Sequence, residues 1–195
     1  MGCYVLAGGR SRRLGQDKAR AMIGEKTTVL EAVLRPLDGV FSSFTVVAES
    51  AGKFDDLGLR TIADDRPGLG PLGGILRAVK DASQGYFFVV SCDRIGLQAR
   101  WVERLSSRLS SRPPAICFCS GGQIEPLFGF YHTDIRAQLK SCLNHQTRAV
   151  WRFLDEIDAS TIEAPPGWNQ TFSVNTPKQL IRARRWFKDP DLQGP

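Results

Sequence analysis

The sequence predicts an α/β protein, a doubly wound, mostly parallel sheet with helices on both faces. Two features predict it. Short apolar runs alternate with amphipathic stretches along the whole chain, the pattern that strand–helix–strand units require. Glycines and aspartates also stand directly behind several of those runs. Folds of this type bind ligands there, beyond the carboxyl ends of the strands.

The elements follow in order. Residues 3–7 read as a buried strand. Residues 28–37 read as a helix. Thr28 and Glu31 open it with the spacing of a capping box, which satisfies the first free N–H groups. Residues 44–48 and 60–63 give two more strands, and 72–82 a helix. Residues 86–91, Tyr-Phe-Phe-Val-Val-Ser, form the strongest strand signal in the chain. A helix over 100–109, strands over 115–119 and 127–131, and two helices within 133–157 come next. A strand over 171–174 leads into a helix from Pro177, since proline suits a first helical turn. A chain of 195 residues suits one core. One domain is expected over residues 1–188, with a frayed polar tail over 189–195.

Composition narrows the function. The chain is 42% hydrophobic and 24% charged, ordinary for a soluble globular protein. No stretch approaches the roughly 20 apolar residues of a membrane span. The N-terminus reaches glycines and arginines too early for a secretory signal. A cytoplasmic protein with no membrane partner is expected. Five cysteines, an odd number without a C-x-x-C pair, argue against a disulfide framework or zinc site and for buried thiols. His132 and His145 are the only histidines, too few for a histidine metal cluster. The net charge of +6 suits a polyanionic partner. No nucleic-acid recognition motif accompanies it, so nucleic acid is not the expected partner.

The segment behind the first strand carries the most chemistry. Leu6, Ala7, Gly8 and Gly9 end the strand and open a loop that holds Arg12, Arg13 and Lys18. A triphosphate crowds negative charge, and backbone N–H groups reach it only where side chains are absent. Arginines add forked donors, and lysine adds a compact ammonium. A basic surface turn would explain the glycines and arginines alone, and the G-x-x-x-x-G-K-[ST] phosphate loop is absent. Asp93 stands where the strongest strand ends. It has two readings, a ligand for a hard cation such as Mg²⁺ or the N-cap of the next helix. Gly68 to Gly73 literally matches G-x-G-x-x-G, which raises an NAD(P)-binding oxidoreductase as a rival. Asp65, Arg66 and Pro67 separate those glycines from their strand, which weakens the rival.

The full string is more specific. Leu6-Ala7-Gly8-Gly9, then Arg13-Leu14-Gly15, then Asp17-Lys18 resembles the signature of nucleotidyltransferases similar to molybdenum cofactor guanylyltransferase. The similarity continues in order. It includes Asp64 before Gly70-Pro71-Leu72-Gly73-Gly74, Cys92-Asp93, Pro126-Leu127-Phe128-Gly129-Phe130-Tyr131 and Val174-Asn175-Thr176-Pro177. The resemblance implies a Rossmann-like three-layer sandwich of the nucleotide-diphospho-sugar transferase type. It implies transfer of GMP from GTP to molybdopterin, with Mg²⁺ as cofactor and contacts with other cofactor-biosynthesis proteins. Arg13, Lys18 and Asp93 would be catalytic, and Asp93 the metal ligand. Leu6, Ala7, Gly8, Gly9, Lys18, Asp64, Gly70, Pro71, Leu72 and Asp93 would bind the nucleotide, and Asn175 the acceptor. The chain departs from the family's usual pattern at Ala48, at Arg94-Ile95-Gly96 and at Ser173. These departures gather on the acceptor side, so CTP or another phosphorylated acceptor is the alternative reading.

Overall fold

The structure is a computed structural model that describes residues 1–9, 13–145 and 149–189. The expected tail beyond Asp189, and Arg12 of the phosphate loop, lie outside the described residues. Strands β1 (Gly2–Leu6), β2 (Ser43–Ala48), β3 (Arg60–Ala63) and β4 (Tyr86–Ser91) come first, with helices α1 (Val29–Leu34) and α2 (Pro71–Asp81) among them. The short strand β5 (Arg94–Ile95) and helix α3 (Ala99–Ser106) follow. Strands β6 (Ala115–Ser120) and β7 (Gln123–His132), helices α4 (Arg136–Asn144) and α5 (Val150–Glu156), strands β8 (Ser160–Glu163) and β9 (Phe172–Ser173), and helix α6 (Pro177–Lys188) complete the chain.

Contacts divide the chain into two compact units. The larger comprises Met1–Gly9, Phe41–Ser91 and Val102–Ala164. It holds a seven-stranded sheet in the order β3-β2-β1-β4-β7-β6-β8. Strands β1 to β4 are mutually parallel, β7 runs antiparallel to β4 and β6, and β8 is parallel to β6. The expected mostly parallel, doubly wound sheet is therefore the one observed. Winding proceeds outward from β1 to β3, then resumes on the other side of β1 with β4. The switch point lies between β1 and β4, where Leu6 is paired with Ser91 at their carboxyl ends.

Alternation along β4 explains why it reads so clearly. Phe87 and Val89 join a cluster with Leu72, Ile75 and Leu76 of α2, Leu139 and Leu143 of α4, and Phe153 of α5. Phe88 points the other way, to Phe41, Phe128 and Phe130. A strand buried on both faces is a continuous apolar run.

The smaller unit comprises the described residues of Arg10–Val40, Cys92–Trp101 and Pro165–Pro195. Thr28 caps α1 with Glu31 in the expected capping box. The helix stops at Leu34, short of the expected 37, and a 3₁₀ turn over Arg35–Leu37 replaces its end. Pro36 is the physical reason, because it lacks the N–H that would continue the ladder. Strand β9 was expected over 171–174. It covers Phe172–Ser173 and pairs antiparallel with β5 in a separate two-stranded sheet. All five cysteines are free thiols. Cys3, Cys92, Cys117 and Cys142 are buried and Cys119 half-buried.

Candidate functional site

In the larger unit the strand ends present the glycines. The Ala7 N–H donates to the Val47 carbonyl at 2.9 Å, so the backbone remains anchored to the sheet one residue past β1. Gly8 and Gly9 follow, both exposed. Among the described residues, a Cβ on either would meet nothing within 4 Å. Packing among the described residues does not demand a glycine at either position.

Asp64 and Asp65 follow β3 and have different surroundings. The Asp64 N–H donates to the Ala48 carbonyl at 2.7 Å, and its carboxylate accepts from the Arg66 N–H at 2.9 Å. Burial pushes its pKa above the ordinary carboxylate range, more than these polar neighbours lower it. Asp65 is exposed and paired with Lys80 at 2.5 Å and Arg77 at 3.5 Å. The hydrogen bond from Lys80 holds it below the ordinary range. Asp65 is thus engaged in ion pairs, whereas the Asp64 carboxylate accepts from the Arg66 backbone amide.

The glycine segment behind Asp64 starts a helix. Gly70 takes φ 69° and ψ −157° at the N-cap of α2, and Pro71 occupies its first turn. That backbone favours glycine. A Cβ at Gly73 would lie 3.2 Å from Asp64 Oδ2 and 3.3 Å from the Arg66 carbonyl. One at Gly74 would lie 3.0 Å from Leu6 Cδ2. The two glycines therefore let α2 approach the ends of β1 and β3. Leu72 is fully buried in the core, so its side chain serves packing, and its backbone is what a ligand could meet. Gly70 and Pro71 are exposed.

The smaller unit brings together Lys18, Asp93 and Asn175. Lys18 Nζ lies 2.5 Å from Asp93 Oδ2 and 3.5 Å from Asn175 Oδ1. Asp93 is 6% exposed. Burial alone would lower the Lys18 pKa. The neighbouring Cys92 and Asp93 side chains and the hydrogen bond to Asp93 outweigh it and hold it above the ordinary lysine value.

Local structure explains the convergence. Behind Lys18, the Ala19 and Ala21 carbonyls accept the N–H groups of Leu30 and Val29, which clips this segment to the start of α1. Behind Asp93, the Asp93 carbonyl accepts the Val174 N–H at 2.9 Å. Asn175 follows Val174, and its N–H donates to Gln179 Oε1 at 2.9 Å in the first turns of α6. Helix α3 begins only at Ala99, so Asp93 is not its N-cap, and that reading falls. Arg13 is exposed in the turn before Gly15.

No group of three or more His, Cys, Asp or Glu side chains that could hold a metal occurs among the described residues. Asp93 and Asn175 offer two hard oxygen donors around one cationic nitrogen. That set fits a Mg²⁺ site completed by phosphate oxygens, which needs only one or two protein carboxylates.

Residues 3–161 match the family model described as the MobA-like NTP transferase domain. The chain belongs to that family. It is therefore a nucleotidyltransferase. It is 32% identical over 187 residues to a probable molybdenum cofactor guanylyltransferase of Thermococcus kodakarensis, covering 91% of each chain. It is 26% identical over 188 residues to the molybdenum cofactor guanylyltransferase of Syntrophotalea carbinolica, covering 93% of this chain and 89% of that one. Among solved structures, molybdopterin-guanine dinucleotide biosynthesis protein A of Archaeoglobus fulgidus superposes with a TM-score of 0.77 at 22% identity. The match covers 96% of this chain and 99% of that one. The 2-C-methyl-D-erythritol 4-phosphate cytidylyltransferase of Thermus thermophilus gives 0.69 at 15% identity, over 95% and 98% of the two chains. These last two likenesses speak to the fold.

The family motifs fall at strand ends, in the Lys18–Asp93–Asn175 cluster and at the start of α2, except the 126–131 motif, which lies within β7. Sequence reading missed the contacts of Arg94 and the approach of Gly74 to Leu6. The first had a visible signal, since Arg94 is among the positions that depart from the usual pattern.

Proposed function

We propose that this chain transfers GMP from GTP to molybdopterin with release of pyrophosphate, as a Mg²⁺-dependent, cytoplasmic enzyme. The observation that carries the reading is the Lys18 ammonium held against the buried Asp93 carboxylate, 2.5 Å away. It is supported by the names of the relatives above. No helix among the described residues is long and apolar enough to cross a membrane, in keeping with the proposed location.

The residues take these roles. Backbone N–H groups over Ala7, Gly8 and Gly9 meet the phosphates, and Leu6 anchors the strand behind them. Arg13 and Lys18 oppose the charge that builds on the triphosphate as the bond to the leaving pyrophosphate stretches. Asp64 holds the nucleoside, and the backbone of Gly70, Pro71 and Leu72 borders the base. Asp93 holds Mg²⁺, which when bound supplies positive charge to the phosphate oxygens. Asn175 orients the acceptor. An ionised acceptor phosphate attacks the α-phosphorus in line, one P–O bond forms and the bond to pyrophosphate breaks. The nucleophile already carries its charge, so no general base is needed. Catalysis is positioning and electrostatics.

The test is thermal stabilisation by GTP, CTP, ATP and NAD, each with and without Mg²⁺, followed by pyrophosphate release from GTP with molybdopterin. Selective stabilisation by GTP with Mg²⁺ is expected through binding linkage. A response to CTP alone would redirect the reading to a cytidylyltransferase, and a response to NAD alone would overturn it. Lys18→Ala should abolish pyrophosphate release while the fold survives.

A further inference from the structure

Asp93 and Asn175 belong to segments joined by a very small ladder. Strands β5 and β9 are two residues each, paired Arg94 with Ser173 and Ile95 with Phe172. So short a two-stranded pairing is marginal by itself. The Arg94 side chain supplies what the ladder lacks. Its Nη1 donates to Thr171 Oγ1 at 3.0 Å. The Thr171 hydroxyl in turn donates to the Trp168 carbonyl at 2.7 Å. The guanidinium lies 4.8 Å from the centre of the Trp168 ring, a cation–π distance. That ring packs on Trp101 at 5.2 Å, and both tryptophans are buried. One side chain therefore ties the residue after Asp93 to the chain that delivers Asn175.

We propose that Arg94 is a positioning residue, whose hydrogen bond to Thr171 and cation–π contact with Trp168 hold Asp93 and Asn175 at their spacing about Lys18. It rests on the functional reading above for what that spacing serves. Arg94 acts through its neighbours on the reacting groups. A lysine there keeps the charge but loses the planar fork. Thr171→Val removes the acceptor from the other side of the same hydrogen bond and leaves Arg94 in place.

The test pairs amide hydrogen exchange with steady-state kinetics on Arg94→Lys and Thr171→Val. Val174 donates its N–H to the Asp93 carbonyl, so its exchange reports the clamp without any activity. In both variants protection at Val174 should fall about tenfold, the effect of losing one charge-assisted hydrogen bond. Amides of β1 and β4 should keep their protection. Turnover should fall about tenfold while KM for GTP holds within about twofold, the sign of lost alignment rather than lost binding. The double variant should lose less than the sum of the two single losses, because both remove the Arg94–Thr171 hydrogen bond. Unchanged exchange at Val174 would overturn the proposal. So would faster exchange with normal turnover, which makes the contact merely structural, or a general loss of protection across the chain. If the wild type releases no pyrophosphate, the functional reading falls, and exchange at Val174 still decides whether Arg94 holds the clamp.

Discussion

The Lys18 ammonium and the Asp93 carboxylate form an ion pair at 2.5 Å, with side chains 21% and 8% exposed. A carboxylate already neutralised by an ammonium is a poor ligand for a second cation. On the proposed function a triphosphate would compete for Lys18 and, in drawing the ammonium, would release Asp93 for a metal. Metal and nucleotide binding are then coupled, and the coupling is reciprocal. GTP should raise Mn²⁺ affinity at least about tenfold, read by electron paramagnetic resonance after correction for metal bound to free GTP. In Lys18→Met the metal alone should bind better and the coupling should shrink, while turnover falls about 10²- to 10³-fold. Equal coupling in the variant and the wild type would remove the ion pair from the account.

Asp64 and Asp65 should separate cleanly on substitution. Asp64→Asn removes a carboxylate that accepts from the Arg66 N–H and lies against Gly73, and it should weaken GTP binding about tenfold or more. Asp65→Asn breaks exposed ion pairs to Lys80 and Arg77. It should leave GTP affinity alone and cost at most about 1 kcal/mol of stability. Isothermal titration with GTP on both variants decides, and a larger binding loss at Asp65 would reverse the assignment.

What the sequence made legible follows from burial. Strand β4 reads at sight because both its faces are covered, and the elements bearing Gly8, Asp64 and Asp93 fall at strand ends as the fold class requires. Strand β8, Ser160–Glu163, escaped because it lies at the sheet edge, partly exposed and mixed in character. The pairing of β5 with β9 is non-local, and two residues carry no periodicity. The proximity of Lys18 to Asn175 was equally invisible, since it depends on Val174 reaching back to the Asp93 carbonyl. Motif order could suggest that Asp93 and Asn175 both matter. It could not show that Arg94 ties their segments together.

Gly129 shows a constraint hidden inside a motif. It sits in β7 opposite Cys117, where the register with β6 shifts. A Cβ there would lie 2.6 Å from the Ile116 carbonyl oxygen and 2.9 Å from Cys117 Sγ. Backbone cannot give way as a side-chain tip can. Gly129→Ala should therefore destabilise the fold by about 1–3 kcal/mol, the range for overpacking, despite better strand packing elsewhere. Urea denaturation measures it, and unaltered stability would mean the ladder relaxes more freely than its geometry suggests.

Asp81 takes both Arg60 nitrogens, at 2.6 and 2.8 Å, and the Tyr4 hydroxyl at 3.0 Å. The Arg60 hydrogen bonds hold its carboxyl below the ordinary range, against the opposing effect of burial. A depressed pKa in the folded state means that the folded chain favours the ionised form. The resulting stability is fully present above the unfolded carboxylate value of about 3.9. It is lost as pH falls through the lower folded value. Arg60 is largely exposed, at 57%, so solvent screening keeps the effect small. Asp81→Asn should be less stable than the wild type near neutral pH, and the gap should close as pH falls below about 4. Denaturation curves for both proteins across that range test it. A gap that stays constant with pH would assign the loss to packing or to neutral hydrogen bonds, not to the charge on Asp81.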